Sequence, residues 1–134
     1  QAMWFKRKAQ PPIRSLIGEG TRLKGDVNFS DGLRIDGEVF GDVCALGDGH
    51  SLLVISEKAR VHGRVKAGHV IINGEVLGPV EASDMLELQP KAHVVGDVRY
   101  ELLEMHAGAR IEGELRHRTG DGRPALKLAA SNDA

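Results

Sequence analysis

Six histidines, one cysteine and two near-identical glycine-rich phrases are the residues of this 134-residue chain whose types could do chemistry. Histidines brought together from separate segments can hold zinc, but all ligands must lie within about 2.0 to 2.1 Å of one point. Aligned on the repeats described below, His62 falls where sister segments have Val95 and Glu112, His93 where they have Arg60 and Arg110, and His106 where they have Ser56 and Gln89. Three histidines in three columns do not converge, so solvent-facing imidazoles and no metal are expected. Cys44 has no activating base beside it, which argues against a thiol nucleophile. The phrases GEVFG and GEVLG lack the Lys and Ser/Thr with which a phosphate-binding loop holds phosphate and magnesium. No catalytic residue, nucleotide or cofactor is expected.

The glycine-rich phrases are instead architectural. IDGEVFGDVCA (35–45) and INGEVLGPVEA (72–82) share seven of eleven positions at a separation of 37 residues. LLVISEKARVHGRV (52–65), MLELQPKAHVVGDV (85–98) and LLEMHAGARIEGEL (102–115) share a second template, and GTRLKGDV (20–27) is a partial copy of its second half. All separations are one or two units of roughly 17 to 19 residues, the mark of a stacked architecture. Within a unit the apolar residues alternate: Leu53, Ile55, then Ala59, Val61, Gly63, Val65, with Glu, Arg, Lys and His between them. Period two means half-buried strands. Each unit divides into three short strands joined by corners, so the chain reads as an all-β, single-stranded parallel β-helix of about six three-sided turns over residues 13–118. At about 4.8 Å per turn the rod is about 30 Å long. The recurrent glycines suit corners without room for a side chain, and Pro79 must sit at a corner because it cannot donate a ladder hydrogen bond.

Composition agrees. Aromatics make up 4% of the chain and glycine 17 residues, so the core is aliphatic and the turns are many. A formal net charge of -1 gives no general attraction to nucleic acid. The single cysteine excludes an internal disulfide and points to a reducing cytoplasm. No run approaches the roughly 20 apolar residues that span a bilayer.

Residues 1–12 and 119–134 fall outside the repeat and read as disordered tails. Met3 reads as the natural start, with Gln1 and Ala2 as additions ahead of it. In the leader, Met3, Trp4 and Phe5 directly precede Lys6, Arg7 and Lys8, apolar rings beside cations as in an interfacial membrane anchor. Each basic residue near an anionic leaflet is worth about 1 kcal/mol. One such segment binds weakly, and many on a polymer bind strongly.

A β-helix exposes unpaired backbone and an apolar cross-section at both ends unless a cap covers them. IRSLIGEG before the first repeat covers one end only in part, and ALKLAA after the last is short and set apart by TGDGRP. On IGEGTRLKGDV (17–27), the paired LRIDGEVFGDV and VIINGEVLGPV, and the closing ARIEGEL, the chain resembles the bactofilins, bacterial cytoskeletal proteins. The basic, aromatic leader resembles the membrane-targeting segment of many members.

The resemblance implies a right-handed helix that assembles end to end, without nucleotide, into non-polar filaments. It also implies a scaffold at the inner face of the membrane that supports cell shape and localises peptidoglycan-modifying enzymes. Where the family carries a terminal-turn Phe at the subunit junction, residues 103–115 have none. The expected polymerisation surface is therefore Ile13, Leu16, Ile17 and Leu23 at one end and Leu103, Met105, Ile111 and Leu115 at the other. The competing reading is a β-helical enzyme of the metal hydratase or acyltransferase type.

Overall fold

Strands of three or four residues with one apolar side cannot stand alone, and stacking them is the way to bury that side. A computed structural model, which describes residues 10–47 and 50–118, shows the chain doing so by coiling. Among the described residues there are fifteen strands and no helix. The first turn is β1 (Ile13–Ile17), β2 (Arg22–Lys24) and β3 (Val27–Phe29), and the second is β4 (Gly32–Ile35), β5 (Glu38–Phe40) and β6 (Val43–Ala45). β7 (Leu52–Ile55) and β8 (Arg60–His62) begin the third, and β9 (Val65–Ile72) closes it and bends round a corner to open the fourth. β10 (Glu75–Leu77) with β11 (Val80–Leu88), then β12 (His93–Val95) with β13 (Val98–Met105), repeat that step. β14 (Arg110–Glu112) and β15 (Leu115–His117) complete the sixth turn. Every strand pairing is parallel, giving a solenoid of about six three-sided turns as the sequence predicts.

Register stacks like upon like. Ile17, Ile35, Ile55, Ile72, Leu88 and Met105 form one inward column on the first face. On the second face Leu23, Val39, Val61, Val76, Val94 and Ile111 form another, and on the third Val27, Val43, Val65, Val80, Val98 and Leu115. The inner members of these columns are fully or almost fully buried. The twin phrases 35–45 and 72–82 thus lie two turns apart, with Ile35 and Ile72, Val39 and Val76, and Val43 and Val80 in shared columns.

The recurring Gly-Asp-Val has two physical causes. A Cβ built on Gly41, Gly63 or Gly113 would stand 2.2, 2.2 or 2.1 Å from the carbonyl oxygen of Gly25, Gly41 or Gly96 one turn below. Stacked corners touch backbone to backbone, and no other residue fits. The aspartate after the glycine then satisfies the next turn. Asp26 Oδ1 accepts from the Asp42 amide at 2.8 Å, Asp42 Oδ1 from Arg64 at 3.0 Å, and Asp97 Oδ1 from Glu114 at 3.0 Å. Pro79 occupies this position above Arg64, which offers no carboxylate, so its missing N–H leaves nothing unmet; its carbonyl accepts from Val65 at 2.9 Å. Proline falls at the corner, as expected.

One reading is corrected. The segment IRSLI is no partial cap: it is β1, paired with β4, and therefore the first rung of the coil. Met3 to Lys8, and the tail 119–134 with ALKLAA, lie outside the described residues.

Candidate functional site

One flank of the rod carries a ladder of paired charges. On the second face Arg22, Glu38, Arg60, Glu75, His93 and Arg110 stack in one outward column, so that charges of opposite sign largely alternate along it. Arg22 Nε lies 3.5 Å from Glu38 Oε1, Arg60 Nε 2.7 Å from Glu75 Oε1, and His93 Nδ1 3.3 Å from Glu75 Oε2. Such exposed pairs are each worth little, but they line the face with charge, broken in the adjoining outward column by Phe40 and Val95, 37% and 36% exposed.

The ends are different. Among the described residues, each core column starts at a residue with no rung below it and stops at one with no rung above. Ile17, Leu23 and Val27 at the first turn, and Leu103 and Ile111 at the last, are only partly buried although they pack on the core. Met105 and Leu115, which end two columns, are 44% and 40% exposed. A hollow of about 770 Å³ opens on this last turn, lined by Tyr100, Leu102, Leu103, Met105, Leu115 and His117. Unpaired strand edges and an apolar cross-section together make a surface suited to adding another strand layer.

The sequence-predicted interface residues thus lie at the two end turns, with differences of position. Leu16 pairs with Arg34 in an outward column, and Ile13 pairs with Gly32, so both flank the first rung rather than end a core column. Val27 and Leu102 were not anticipated. Val27 is recoverable from the Gly-Asp-Val phrase, because it precedes Val43 in register. Leu102, 62% exposed, stands opposite Met85 beyond a register shift that no repeat template contains.

The chemistry-bearing residues are placed as follows. Burial, then the neighbouring Asp42 charge, pushes the Cys44 thiol up, the opposite of activation. The histidines keep their three separate columns and lie on the outer side of the sheets, each partly exposed beside a carboxylate. His62 Nε2 lies 2.8 Å from Glu38 Oε2, both half-shielded against the sheet, and His93 Nε2 lies 2.6 Å from Glu112 Oε2, whose side chain is mostly exposed. Their partners sit in neighbouring columns, diagonal to them.

The His62 hydrogen bond, opposed by partial burial and aided by the charges of His62, Arg22 and Arg60, holds Glu38 below its ordinary 4.5. The Ser56 hydroxyl, with Arg34, holds Asp36 below 3.8. A lowered folded value means stability that is present above the ordinary value and lost as pH falls through the folded one. Melting followed by circular dichroism should therefore show the midpoint falling on acidification below about pH 4.5. An Asp36→Asn/Glu38→Gln variant should melt lower at neutral pH and show a flatter acid limb. An unchanged acid slope would remove these two carboxylates from the account.

The model of the family "Bactofilin: Polymer-forming cytoskeletal" matches residues 15–116, from the first turn to the sixth. The chain is also similar to Bactofilin BacO of Myxococcus xanthus (strain DK1622), 26% identical over 111 residues, covering 83% of this chain and 85% of that protein. No solved structure matches. A coil whose core columns run out at both ends, matched along nearly its whole length by that family model, makes this chain a member of the bactofilins, a polymer-forming cytoskeletal family.

Proposed function

We propose that the chain polymerises end to end, without nucleotide, into non-polar filaments at the inner face of the bacterial membrane. There it serves as a scaffold that supports cell shape and positions peptidoglycan-modifying enzymes. The observation that carries the assembly is that, among the described residues, the core columns run out at apolar end turns, while one flank is laddered with paired charges. Membership of a polymer-forming family supports self-association. Nothing in the proposed assembly step calls on a hydrolysed ligand: joining two end turns needs only backbone hydrogen bonds and the burial of apolar side chains.

The test is negative-stain electron microscopy of purified protein in nucleotide-free buffer. Filaments are expected, and monodisperse monomers across salt and protein concentration would overturn the proposal. Met3, Trp4, Phe5, Lys6, Arg7 and Lys8 are proposed as the anchor to anionic lipid, from their composition and from repetition along a filament. Intact protein should pellet with anionic liposomes, and a Trp4→Ala/Phe5→Ala variant should stay largely in the supernatant. Equal pelleting would remove the aromatic anchor.

A further inference from the structure

On the outward side of the first face the register brings together residues from three turns. Glu87 of β11 pairs with Glu104 of β13, which places two carboxylates on neighbouring rungs about 4.8 Å apart. Like charges directly opposed across a sheet destabilise it unless a cation lies between them. His106, two residues beyond Glu104, turns its Nε2 to both, 3.1 Å from Glu104 Oε2 and 4.0 Å from Glu87 Oε2. From the preceding turn His69 brings its own Nε2 to 3.9 Å from Glu87 Oε1.

We propose that Glu87, Glu104 and His106, with His69 beside them, form a binding site for a divalent transition cation of the zinc class.

Three observations separate this cluster from the other His–Glu contacts. The ligand atoms of Glu87, Glu104 and His106 all lie within 4.8 Å of one another. Tetrahedral bonds of about 2.0 to 2.2 Å require ligand separations of about 3.4 Å, within reach of small side-chain rotations. His93, by contrast, spends its two nitrogens on carboxylates in different directions, Nδ1 on Glu75 and Nε2 on Glu112, and these do not converge. Second, His69 Nε2 and His106 Nε2 are closed to solvent yet make no hydrogen bond, a condition that needs a reason. A metal supplies one. Third, outer partners are in place: the Gln89 amide donates to Glu87 Oε2, and the Gln10 amide lies 2.9 Å from His69 Nδ1. With its oxygen turned inward, Gln10 accepts the Nδ1 proton and leaves Nε2 free to coordinate. Imidazole with carboxylate suits zinc and its first-row neighbours better than magnesium or calcium, which favour all-oxygen shells.

The test is isothermal titration of untagged, full-length protein with zinc chloride, with cobalt(II) absorption as a probe of tetrahedral geometry. One zinc per chain is expected, lost in Glu87→Gln/His106→Gln and retained in His93→Gln. All of these side chains point outward, so circular dichroism should show the fold unchanged. Should the double variant fail to fold, Gln89→Ala keeps the proposal testable, with an expected weakening of about tenfold. Absence of saturable binding would overturn the site and leave His106 as a neighbour of two stacked glutamates. So would zinc binding unaffected by the ligand variant, or lost with His93.

Discussion

Gly63→Ala is expected to destabilise the fold by about 3 kcal/mol, or to prevent it from forming, although it adds one methyl group. The added Cβ would lie 2.2 Å from the Gly41 carbonyl oxygen and 2.6 Å from its carbon, and both are backbone atoms fixed in their own turn. A side chain can rotate away from a clash, whereas here two turns must separate. Separation at that corner loosens the ladders of the third turn on either side, where Val39, Val61 and Val76 are fully buried. Gly18→Ala is the matching control: a Cβ there meets nothing within 4 Å. Thermal melts at one fixed protein concentration should show Gly18→Ala within a few degrees of the parent and Gly63→Ala far below it. Equal midpoints would mean that the stacked corners have room for a methyl group.

Met105→Glu/Leu115→Glu is expected to abolish long filaments while leaving the coil folded. Both side chains end a core column and are already two-fifths exposed in the single chain, so a carboxylate there stays solvated in the monomer. In a junction it would be buried without a partner, which costs several kcal/mol per charge. The residual species reports polarity. If like ends meet, as in a non-polar filament, a chain blocked at its last turn still pairs through Ile17, Leu23 and Val27 and sediments as a dimer. If unlike ends meet, the block leaves monomers and the non-polar reading is lost. Filaments as long as the parent's would contradict end-on assembly altogether.

The coil was legible in the sequence because its inward columns are nearly uniform: Val39, Val61, Val76 and Val94 announce themselves by alternation and by spacing. The corners were legible through Gly63 and Pro79, two residues with conformational limits of their own. Turn length was less so. The connection from Ala45 to Leu52 and the register shift between Ala82 and Met85 add residues outside the paired strands that blur any template of fixed period. Alignment by columns also hides diagonal neighbours. It placed His62, His93 and His106 in their columns, yet could not show that glutamates from adjacent columns are among their partners, because that contact depends on how far a side chain leans along the strand. The outward parity of Leu16 was hidden for a simpler reason: only its pairing with Arg34 shows that it lies beside the first core column rather than in it.

End-on stacking makes a quantitative demand on the filament itself. Six turns joined to six turns should advance about 30 Å per subunit, and the unbroken ladder should give a meridional reflection near 4.8 Å. Diffraction or image power spectra from aligned, nucleotide-free filaments would measure both. Both spacings together are the predicted result. A subunit advance well short of the rod's length, as side-by-side packing would produce, would contradict assembly through the open ends.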